Sequence, residues 1–439
     1  MSQILDNSKS VIAQTSKLPC RIQRLLGSGG QGEVYEATLD GQAMALKWYH
    51  PQAATQTQRK ALESLVTKGP PDRSFLWPLD LVTAPDLPHF GYLMPLRDPR
   101  YRGIADLMKG KIDPTFRTLA TAGMNLANSF LQLHARGMCY RDIAFGNVFF
   151  DPENGEVLIC DNDNVSVDHE EKPSVLGTPR FMAPEVVRKE AWPSTQTDLF
   201  SLSVLLFYMF MVHHPLEGRR EVKVKCLDLP AMTQLYGEAP LFIFDPDDDS
   251  NRPHPQFQPN PLAFWPVYPE FLRRLFVRAF TEGLHDPSAR IRESEWRNTL
   301  IRLRDSILYC SACGAENIYD RESLSGDGDN AGDCWSCYKP LALPPRIRID
   351  RSVLMLNHDT VVFPHHINDR RPYDFSLPIA EVRQHPDKPN VWGLKNVSRD
   401  KWVMTTPQDV TLDVPPDKSV PLLNGTRIHF GHKQGEIRA

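Results

Sequence analysis

The sequence predicts an α+β fold in several parts, on the evidence of three patterns. Between residues 21 and 95, short β-type runs surround one helical segment, and a glycine-rich turn follows the first run. A mainly helical stretch continues to about residue 305. Two Cys-x-x-Cys pairs and a β-rich tail come next, so we also expect a metal-bound segment and a small all-β domain.

Composition sets the broad class. The 439 residues are 41% hydrophobic and 24% charged, which is typical of a globular protein of about two to four domains. The net charge of −4 gives no general attraction to nucleic acid or anionic membranes. The most apolar run, residues 199–212, is shorter than the roughly 20 residues of a membrane span and predicts a buried helix. Without a signal peptide at residues 1–20, and with no disulfide-type cysteine pattern, we expect a reducing, cytoplasmic location.

The β-rich part should contain strands at residues 21–26, 43–48 and 90–94. Residues 55–68 have helical spacing of apolar side chains, and Gly69-Pro70 should end that helix. We therefore expect strands around one helix.

A longer helix should begin at Asp113-Pro114, with Asp113 as N-cap and an apolar face over residues 116–131. Gly137 suits the left-handed position beyond its end. Residues 216–268 are rich in proline and include an acidic run, which predicts a long solvated excursion.

Three polar residues fall at the turns of the next segment. An Asn-Gly turn joins β-type runs at residues 148–150 and 157–160. Asp142 and Asn147 precede this hairpin and Asp161 follows it, so we expect all three side chains to lie in one helix-loop-hairpin unit.

The order and spacing of several short motifs resemble one family, the eukaryotic-like protein kinases, over about residues 21–305. These motifs are Gly27-Ser28-Gly29-Gly30-Gln31-Gly32-Glu33-Val34, Ala45-Leu46-Lys47, Tyr140-Arg141-Asp142 with Asn147, Asp161-Asn162-Asp163 and Ala183-Pro184-Glu185. The resemblance implies a bilobal kinase fold, with an N-lobe at residues 21–97 and a C-lobe at residues 98–305.

The resemblance also implies a nucleotide site between the lobes. Lys47 would hold the α- and β-phosphates of ATP, and Glu63, the only acidic residue of its helix, would pair with it. Met94 would be the gatekeeper, while the Pro95 carbonyl and the Arg97 amide would meet the adenine. The full set of expected nucleotide-binding residues is Gly27, Ser28, Gly29, Gly30, Gly32, Val34, Ala45, Lys47, Glu63, Met94, Pro95 and Arg97.

Asp142 is the expected acceptor of the proton from a serine or threonine hydroxyl of a protein substrate. Asn147 and Asp161 would hold Mg²⁺ (or Mn²⁺). Asp163 stands where the family usually has glycine, and it could be a bystander, a third charge or a second metal contact. Gly177-Thr178 before Arg180 resembles the substrate-facing loop of serine/threonine kinases.

Other positions have implied structural or regulatory roles. Glu185 and Arg290 would form a buried ion pair, and Asp198 would brace the catalytic loop backbone. The candidate phosphorylation sites of the activation segment are Ser166, Ser174 and Thr178.

Some positions depart from the family pattern. Tyr140 replaces a histidine, Asn162-Asp163 replaces Phe-Gly, and Ala144 replaces the lysine that serine/threonine kinases place on the γ-phosphate. These departures keep open a pseudokinase scaffold that binds nucleotide or protein without turnover.

The cysteine pairs Cys310/Cys313 and Cys334/Cys337 predict a structural zinc ribbon over residues 306–342, because four thiolates complete a closed tetrahedral shell. The polar segment between the pairs is acidic, which argues against a nucleic-acid partner.

The tail, residues 345–439, should form a β-sandwich faintly similar to forkhead-associated domains, with His365-His366 at the surface. The layout resembles a bacterial kinase subgroup with a zinc ribbon. For this subgroup the resemblance implies a cognate metal-dependent phosphatase and a von Willebrand-type protein as partners.

Overall fold

The structure is a computed structural model that describes residues 4–5, 11–168, 177–320 and 330–439. It divides the chain into two compact units, one formed by residues 1–265 and 274–298 and the other by residues 266–273 and 299–439. Within the described ranges, no helix is both long and apolar enough to cross a membrane.

The first unit opens with six β-strands that form a closed barrel. They are β1 (Val11–Ala13), β2 (Pro19–Ser28), β3 (Gly32–Leu39), β4 (Gln42–Tyr49), β5 (Asp80–Ala84) and β6 (Leu87–Pro95), and their order in the barrel is β1-β2-β3-β4-β6-β5. The three predicted strands lie within β2, β4 and β6 and are confirmed. Because β1 pairs with both β2 and β5 and closes the barrel, the β-rich part begins at Val11 and not at residue 21.

Helix α1 (Gln56–Lys68) follows β4, as predicted. The Thr55 hydroxyl accepts a hydrogen bond from the Gln58 amide at 3.1 Å and caps the helix, and Gly69 ends it with a φ of 68°. Leu62 is buried in an apolar cluster with Tyr49, Phe90 and Tyr92, so this face of α1 packs against the barrel.

The following segment is mainly helical. Its helices are α2 (Ile104–Met108), α3 (Phe116–His134), α4 (Pro184–Val187), α5 (Thr195–Met211), α6 (Arg219–Val222), α7 (Leu229–Thr233), α8 (Pro259–Phe264), α9 (Glu270–Phe280), α10 (Glu282–His285) and α11 (Glu293–Asp305). Among them lie the short strands β7 (Arg102–Gly103), β8 (Met138–Cys139), β9 (Val148–Phe150), β10 (Val157–Ile159) and β11 (Ser166–Val167), with 3₁₀ turns at Asn162–Asn164, Asp249–Asn251 and Pro287–Ala289 and a π-turn at Gln234–Glu238.

Helix α3 begins later than predicted. Its N-cap is Thr115, not Asp113, because the Thr115 hydroxyl accepts a hydrogen bond from the Thr118 amide at 3.1 Å. The left-handed conformation predicted for Gly137 is present, with a φ of 69°. The predicted hairpin is β9 paired with β10, so the polar residues before and after it are brought to one end of this unit.

The apolar run at residues 199–212 lies in α5, whose residues from Thr197 to Met211 are all buried. The solvated excursion predicted for residues 216–268 is wrong for part of this segment, because Phe242 and Trp265 pack on this helix, whereas the acidic run at residues 245–249 lies largely at the surface. The Phe207 ring of α5 lies 5.7 Å from the ring of Phe242 and 6.4 Å from that of Trp265. This segment is therefore an irregular stretch whose apolar side chains are partly buried against α5, which its proline and charge content did not indicate.

The second unit contains β12 (Ile307–Tyr309), β13 (Glu316–Ile318), β14 (Asn330–Asp333) and β15 (Pro340–Ala342), which form two two-stranded sheets, β12-β13 and β14-β15. Each sheet is a hairpin that carries one Cys-x-x-Cys pair at its turn.

The tail consists of β16 (Arg346–Ile349), β17 (Ser352–Met355), β18 (Val361–Val362), α12 (Pro364–Ile367), β19 (Ala380–His385), β20 (Lys388–Asn396), β21 (Trp402–Thr405), β22 (Thr411–Val414), β23 (Ser419–Pro421), β24 (Arg427–His429) and β25 (Gln434–Arg438). One sheet has the order β17-β16-β25-β24-β21-β22 and the other β18-β19-β20-β23. The two sheets share one buried apolar cluster, which contains Ile347 and Trp402 from the first sheet and Val382 from the second. The tail is β-rich as predicted, and its similarity to forkhead-associated domains stays a prediction.

Candidate active site

A cleft of about 1270 Å³ brings most of the predicted site residues together. It lies between the barrel and the helical part of the first unit. Its lining includes Gly27, Ser28, Gly29, Gly30, Gly32, Val34, Ala45, Lys47, Met94, Pro95, Arg97, Asp142 and Asp161. Asn147 is buried just beneath this surface, and Glu63 does not line the cleft.

The glycine-rich turn between β2 and β3 forms one wall of the cleft. The Gly29 amide donates to the Gly32 carbonyl at 2.9 Å and closes the turn. Gly32 is required by the fold, since a Cβ there would lie 2.2 Å from the backbone oxygen of Trp48. At Gly27, Gly29 and Gly30 a Cβ would meet no protein atom within 4 Å, so these glycines leave an open space at the cleft wall.

Lys47 on β4 is almost fully buried and is held by two carboxylates. Its Nζ lies 2.9 Å from Asp163 Oδ2, 3.5 Å from Asp161 Oδ1 and 3.0 Å from Gln31 Oε1. Burial alone would lower the pKa of Lys47, but the charges of Asp163 and Asp161 more than offset this and raise it. Lys47 therefore stays an ammonium group in the cleft.

The predicted pairing of Lys47 with Glu63 is wrong in this structure. Glu63 lies on the outer face of α1, where its carboxylate is half exposed and pairs with Arg59 at 3.2 Å. The inner face of α1 presents Gln58 and Leu62 to the barrel. The physical reason is the helical period, because Glu63 follows the buried Leu62 by one position and is turned about 100° away from it.

Asp161 follows β10 in the left-handed conformation, with a φ of 50°, and begins the 3₁₀ turn Asn162–Asn164. Its carboxylate is 40% exposed and faces the cleft. Burial raises the pKa of Asp161, although Lys47 acts in the opposite direction. Asn162 anchors the turn, because its amide donates at 2.9 Å to the carbonyls of Leu76 and Ile159.

Asp142 and Asn147 lie in the loop between β8 and β9. The Asn147 amide nitrogen donates to the Asp142 backbone carbonyl at 2.8 Å and to Asp142 Oδ2 at 3.2 Å, so the amide oxygen of Asn147 is the atom that could bind a metal. The Thr178 hydroxyl donates to Asp142 Oδ1 at 2.8 Å. This carboxylate is therefore placed to accept a hydrogen bond from an alcohol.

The backbone before Asp142 is braced from below, as predicted for Asp198. The Asp198 carboxylate accepts hydrogen bonds from the amides of Tyr140 at 2.5 Å and Arg141 at 2.9 Å. These bonds hold Arg141 at a φ of 74°, which is rare for a residue with a side chain. The buried Tyr140 hydroxyl donates to the Cys160 carbonyl and so joins this loop to the strand before Asp161.

His134, the last residue of α3, joins Asp198 to Glu293. Its Nε2 lies 3.1 Å from Asp198 Oδ2, and its Nδ1 contacts the Glu293 carboxylate. Burial alone would lower the pKa of His134, but hydrogen bonds and charge from both carboxylates raise it from 6.5 to about 9. A charged imidazolium thus links the loop that carries Asp142 to α11.

Replacing His134 with leucine should destabilise the protein at neutral pH by about 3 kcal/mol, because Asp198 and Glu293 lose their buried cation. The histidine pKa is raised on folding, so its stabilisation is complete below pH 6.5 and is lost as pH rises through about 9. Denaturant unfolding from pH 6 to 10 should therefore show the two proteins converging at the alkaline end. The exposed His285→Leu serves as control, and a pH-independent difference would contradict the assignment.

The sequence analysis gave no role to four further residues near Lys47, which are Tyr49, Tyr92, Gln31 and Asn164. Tyr49 and Tyr92 direct their hydroxyls at Asp163, with the Tyr92 distance at 3.1 Å. Gln31 bridges from the glycine turn to Asn164 at 3.2 Å. Strand alternation could have placed Lys47 and Tyr49 on one face of β4, but the partner turn lies over a hundred residues away.

A fifth missed residue, Phe149, lies at the cleft floor. The Arg97 guanidinium stacks over its ring at 4.1 Å, and Arg97 also donates to the Tyr101 carbonyl at 2.8 Å.

The predicted ion pair between Glu185 and Arg290 is confirmed. Arg290 Nη1 and Nη2 each lie 2.8 Å from one oxygen of the Glu185 carboxylate, a bidentate geometry. Arg290 also donates to the carbonyls of Gly283 at 3.1 Å and Gln196 at 3.0 Å. Of the three candidate phosphorylation sites, Ser174 lies outside the described residues.

In the second unit, the ligand atoms of the four predicted cysteines all lie within 4.8 Å of one another, which is compatible with zinc. The Sγ atoms of Cys310 and Cys337 are 3.7 Å apart, as are those of Cys313 and Cys334. Burial would raise the pKa of Cys334, but backbone amides and Asn317 lower it to about 6. The thiolate form that a metal requires is thus favoured at Cys334. At Cys337 the Lys339 amide lowers the pKa, but burial and hydrogen bonds with the other cysteines outweigh it and raise the pKa to about 11.

The predicted surface position of His365-His366 is wrong for His366, which is buried. Its Nδ1 accepts a hydrogen bond from the Phe363 amide at 2.9 Å, and its Nε2 lies 3.3 Å from Asp305 Oδ1. A ring nitrogen that accepts from an amide leaves the single proton of the neutral ring on Nε2, facing Asp305. His366 is therefore a satisfied capping residue of α12.

The amino-acid sequence is similar to protein kinases over part of its length. Residues 104–260 match the family model of the protein kinase domain. A cell cycle serine/threonine-protein kinase of Saccharomyces cerevisiae is 30% identical over 143 residues, which are 30% of this chain and 20% of that relative.

Two serine/threonine-protein kinases of Arabidopsis thaliana are also similar to the chain. One is 34% identical over 93 residues, covering 20% of this chain and 26% of the relative. The other is 27% identical over 155 residues, covering 30% of this chain and 44% of the relative. This chain thus spans less than half the length of each of the three relatives.

Proposed function

We propose that this chain, which contains a protein kinase domain over residues 104–260, is a serine/threonine protein kinase that uses ATP and a divalent cation. The observation that carries the proposal is the assembly of an ammonium group and two carboxylates on the lining of one cleft, with an amide hydrogen-bonded to one of these carboxylates. These groups belong to Lys47, Asn147, Asp142 and Asp161. Phosphoryl transfer needs positioned charge more than covalent participation by the protein, and this set supplies it.

Each group has one role in the proposal. Lys47 binds the inner phosphates, because its buried ammonium faces the space beside the glycine turn. Asp142 orients the substrate hydroxyl and accepts its proton, a role supported by the hydroxyl of Thr178 at 2.8 Å. Asp161 and the amide oxygen of Asn147 offer the hard oxygen ligands that Mg²⁺ prefers.

The residues present fit ATP and a metal ion. The open space at Gly27, Gly29 and Gly30 is the volume that phosphates require, and no neighbouring protein atom explains those glycines. Bound ATP supplies the phosphoryl donor. Met94, Pro95 and Arg97 line the far end of the cleft, where the resemblance places the adenine.

The alternative is a pseudokinase scaffold that binds nucleotide without turnover. It draws on Ala144, which offers no cation for the γ-phosphate. The catalytic proposal is preferred because Asp142 and Asp161 both face the cleft, whereas a scaffold requires neither.

Incubation with γ-labelled ATP, Mg²⁺ and myelin basic protein tests the proposal. Wild type should transfer label to serine or threonine, and Asp161→Asn should reduce the rate by at least about 100-fold. The exposed Asp86→Asn is the matched control and should match wild type. Equal label in wild type and Asp161→Asn would end the catalytic proposal, and Mg-ATP binding seen by calorimetry without transfer would favour the scaffold.

We also propose that the cysteine hairpins bind structural zinc and that the β-rich tail recruits or restrains partners. The sulfur geometry supports the first point. The bacterial subgroup, the metal-dependent phosphatase and the von Willebrand-type partner rest on the family resemblance. A cytoplasmic location is proposed from the cysteine pattern, because the two Cys-x-x-Cys pairs favour a metal site over a disulfide framework.

A further inference from the structure

Asp163 is a fully buried carboxylate beside the cleft. Its side chain has no exposed surface, and every contact it makes through its two oxygens is with a donor. Lys47 Nζ lies 3.0 Å from Oδ1 and 2.9 Å from Oδ2, Tyr92 Oη lies 3.1 Å from Oδ1, and the Tyr49 hydroxyl donates to Oδ2. An ammonium group and two hydroxyls thus hold this carboxylate from the barrel side.

This set of donors decides among the roles left open for Asp163. A buried carboxylate engaged by an ammonium group and two hydroxyls is not a bystander, because each partner would be left unpaired without it. It is also not placed as a second metal contact, since its oxygens face the barrel strands β4 and β6 and do not line the cleft.

Helix α1 offers Lys47 no carboxylate from its buried face. Glu63 pairs with Arg59 at the surface, and bringing it inward would require α1 to turn and expose Leu62, which is fully buried. The residue of α1 that faces the turn is Gln58. Its Nε2 lies 3.1 Å from Tyr49 Oη and 3.1 Å from the Asp163 backbone carbonyl.

We propose that Asp163 is the positioning residue that holds Lys47 for the phosphates, in place of a glutamate on α1. This inference rests on the proposed kinase function and deepens it. Asp163 lies in the 3₁₀ turn Asn162–Asn164, and Asp161 is the residue at which this turn begins. One turn therefore fixes the positions of both the Lys47 ammonium group and the carboxylate proposed to bind the metal. The orientation of Lys47 is then independent of any acidic side chain on α1.

The glycine turn is tied to the same point. Gln31 accepts from Lys47 at 3.0 Å and donates to Asn164 at 3.2 Å. Lys47 is thereby fixed from the barrel, the glycine turn and the 3₁₀ turn together, which leaves its ammonium group at the cleft floor.

The test compares three variants with wild type by calorimetric titration of Mg-ADP and by kcat and KM for ATP. Asp163→Asn should weaken Mg-ADP binding and reduce kcat by about 100-fold, since a misplaced cation no longer meets the phosphates. Glu63→Gln is the control and should stay within about twofold of wild type in both. Asp163→Gly combined with Gln58→Glu returns a carboxylate to α1 beside Tyr49 and should regain at least about tenfold in kcat over Asp163→Asn.

Melting temperatures identify the variants that fold. The proposal would be overturned if Asp163→Asn bound Mg-ADP and turned over ATP as wild type does, or if Glu63→Gln lost as much affinity and kcat as Asp163→Asn. It would also be overturned if the folded double variant Asp163→Gly, Gln58→Glu had no higher kcat than Asp163→Asn. Wild type that binds Mg-ADP but transfers no phosphate would refute the kinase function alone, because the effects of the variants on affinity would still decide the role of Asp163.

Discussion

Cys334→Ser protein is expected to contain no stoichiometric zinc and to unfold the two cysteine hairpins, residues 307–318 and 330–342. Among the described residues of this segment, the apolar cluster contains two buried residues that are not cysteines, Leu308 and Leu341, which is too little to fold so short a segment. A structural zinc ion contributes roughly 10–16 kcal/mol in small domains, so its loss removes most of the folding free energy here.

Zinc content by plasma mass spectrometry and limited proteolysis within residues 307–342 measure this effect. The control is Cys226→Ser, which replaces an exposed thiol outside the cluster and should retain zinc and protease resistance. The zinc assignment would be contradicted if purified wild-type protein contained no zinc, or if Cys334→Ser protein resisted the protease as well as wild type does.

Arg290→Met is expected to lower the free energy of unfolding of the first unit by about 3–5 kcal/mol. The side chain of Arg290 is 2% exposed, and Glu185 opposite it is 15% exposed. Removing the guanidinium leaves a largely buried carboxylate and the carbonyls of Gly283 and Gln196 without their donor. The loss should appear as a lower denaturation midpoint at an unchanged slope.

A second substitution separates charge burial from packing. Glu185→Leu with Arg290→Met replaces both charges by apolar groups and should recover part of the lost stability. Glu63→Gln breaks an exposed pair with Arg59 and should leave the midpoint unchanged. If the single and double variants are equally unstable, the loss comes from packing and not from an unpaired charge.

Local sequence patterns were sufficient to predict those strands, turns and helices whose residues show a clear periodicity within one segment. The strands around Lys47, the hairpin before Asp161 and the helix at residues 199–212 follow from periodicity and turn chemistry. The same periodicity, applied to α1, could have excluded Glu63, since Leu62 and Leu65 mark the buried face and Glu63 lies off it. Counting charges without their helical position led to the wrong partner.

Other features depend on contacts between distant parts of the chain. Residues 216–268 look solvated because prolines and an acidic run interrupt their apolar residues, yet Phe242 and Trp265 are placed by the aromatic surface of α5. Strand β1 was missed because three residues carry too little pattern, and its pairing with β5 exists only once the barrel closes.

By itself the sequence predicted most of the elements, placed the two Cys-x-x-Cys pairs that are compatible with a metal site, and singled out Lys47, Asp142, Asn147 and Asp161 as a set of residues to test together. Only the tertiary structure decided that Asp163, 116 positions from Lys47, is its buried counter-ion and that Glu63 is not. The physical reason is that an ion pair is selected by distance and desolvation in three dimensions, and neither quantity is encoded in local spacing.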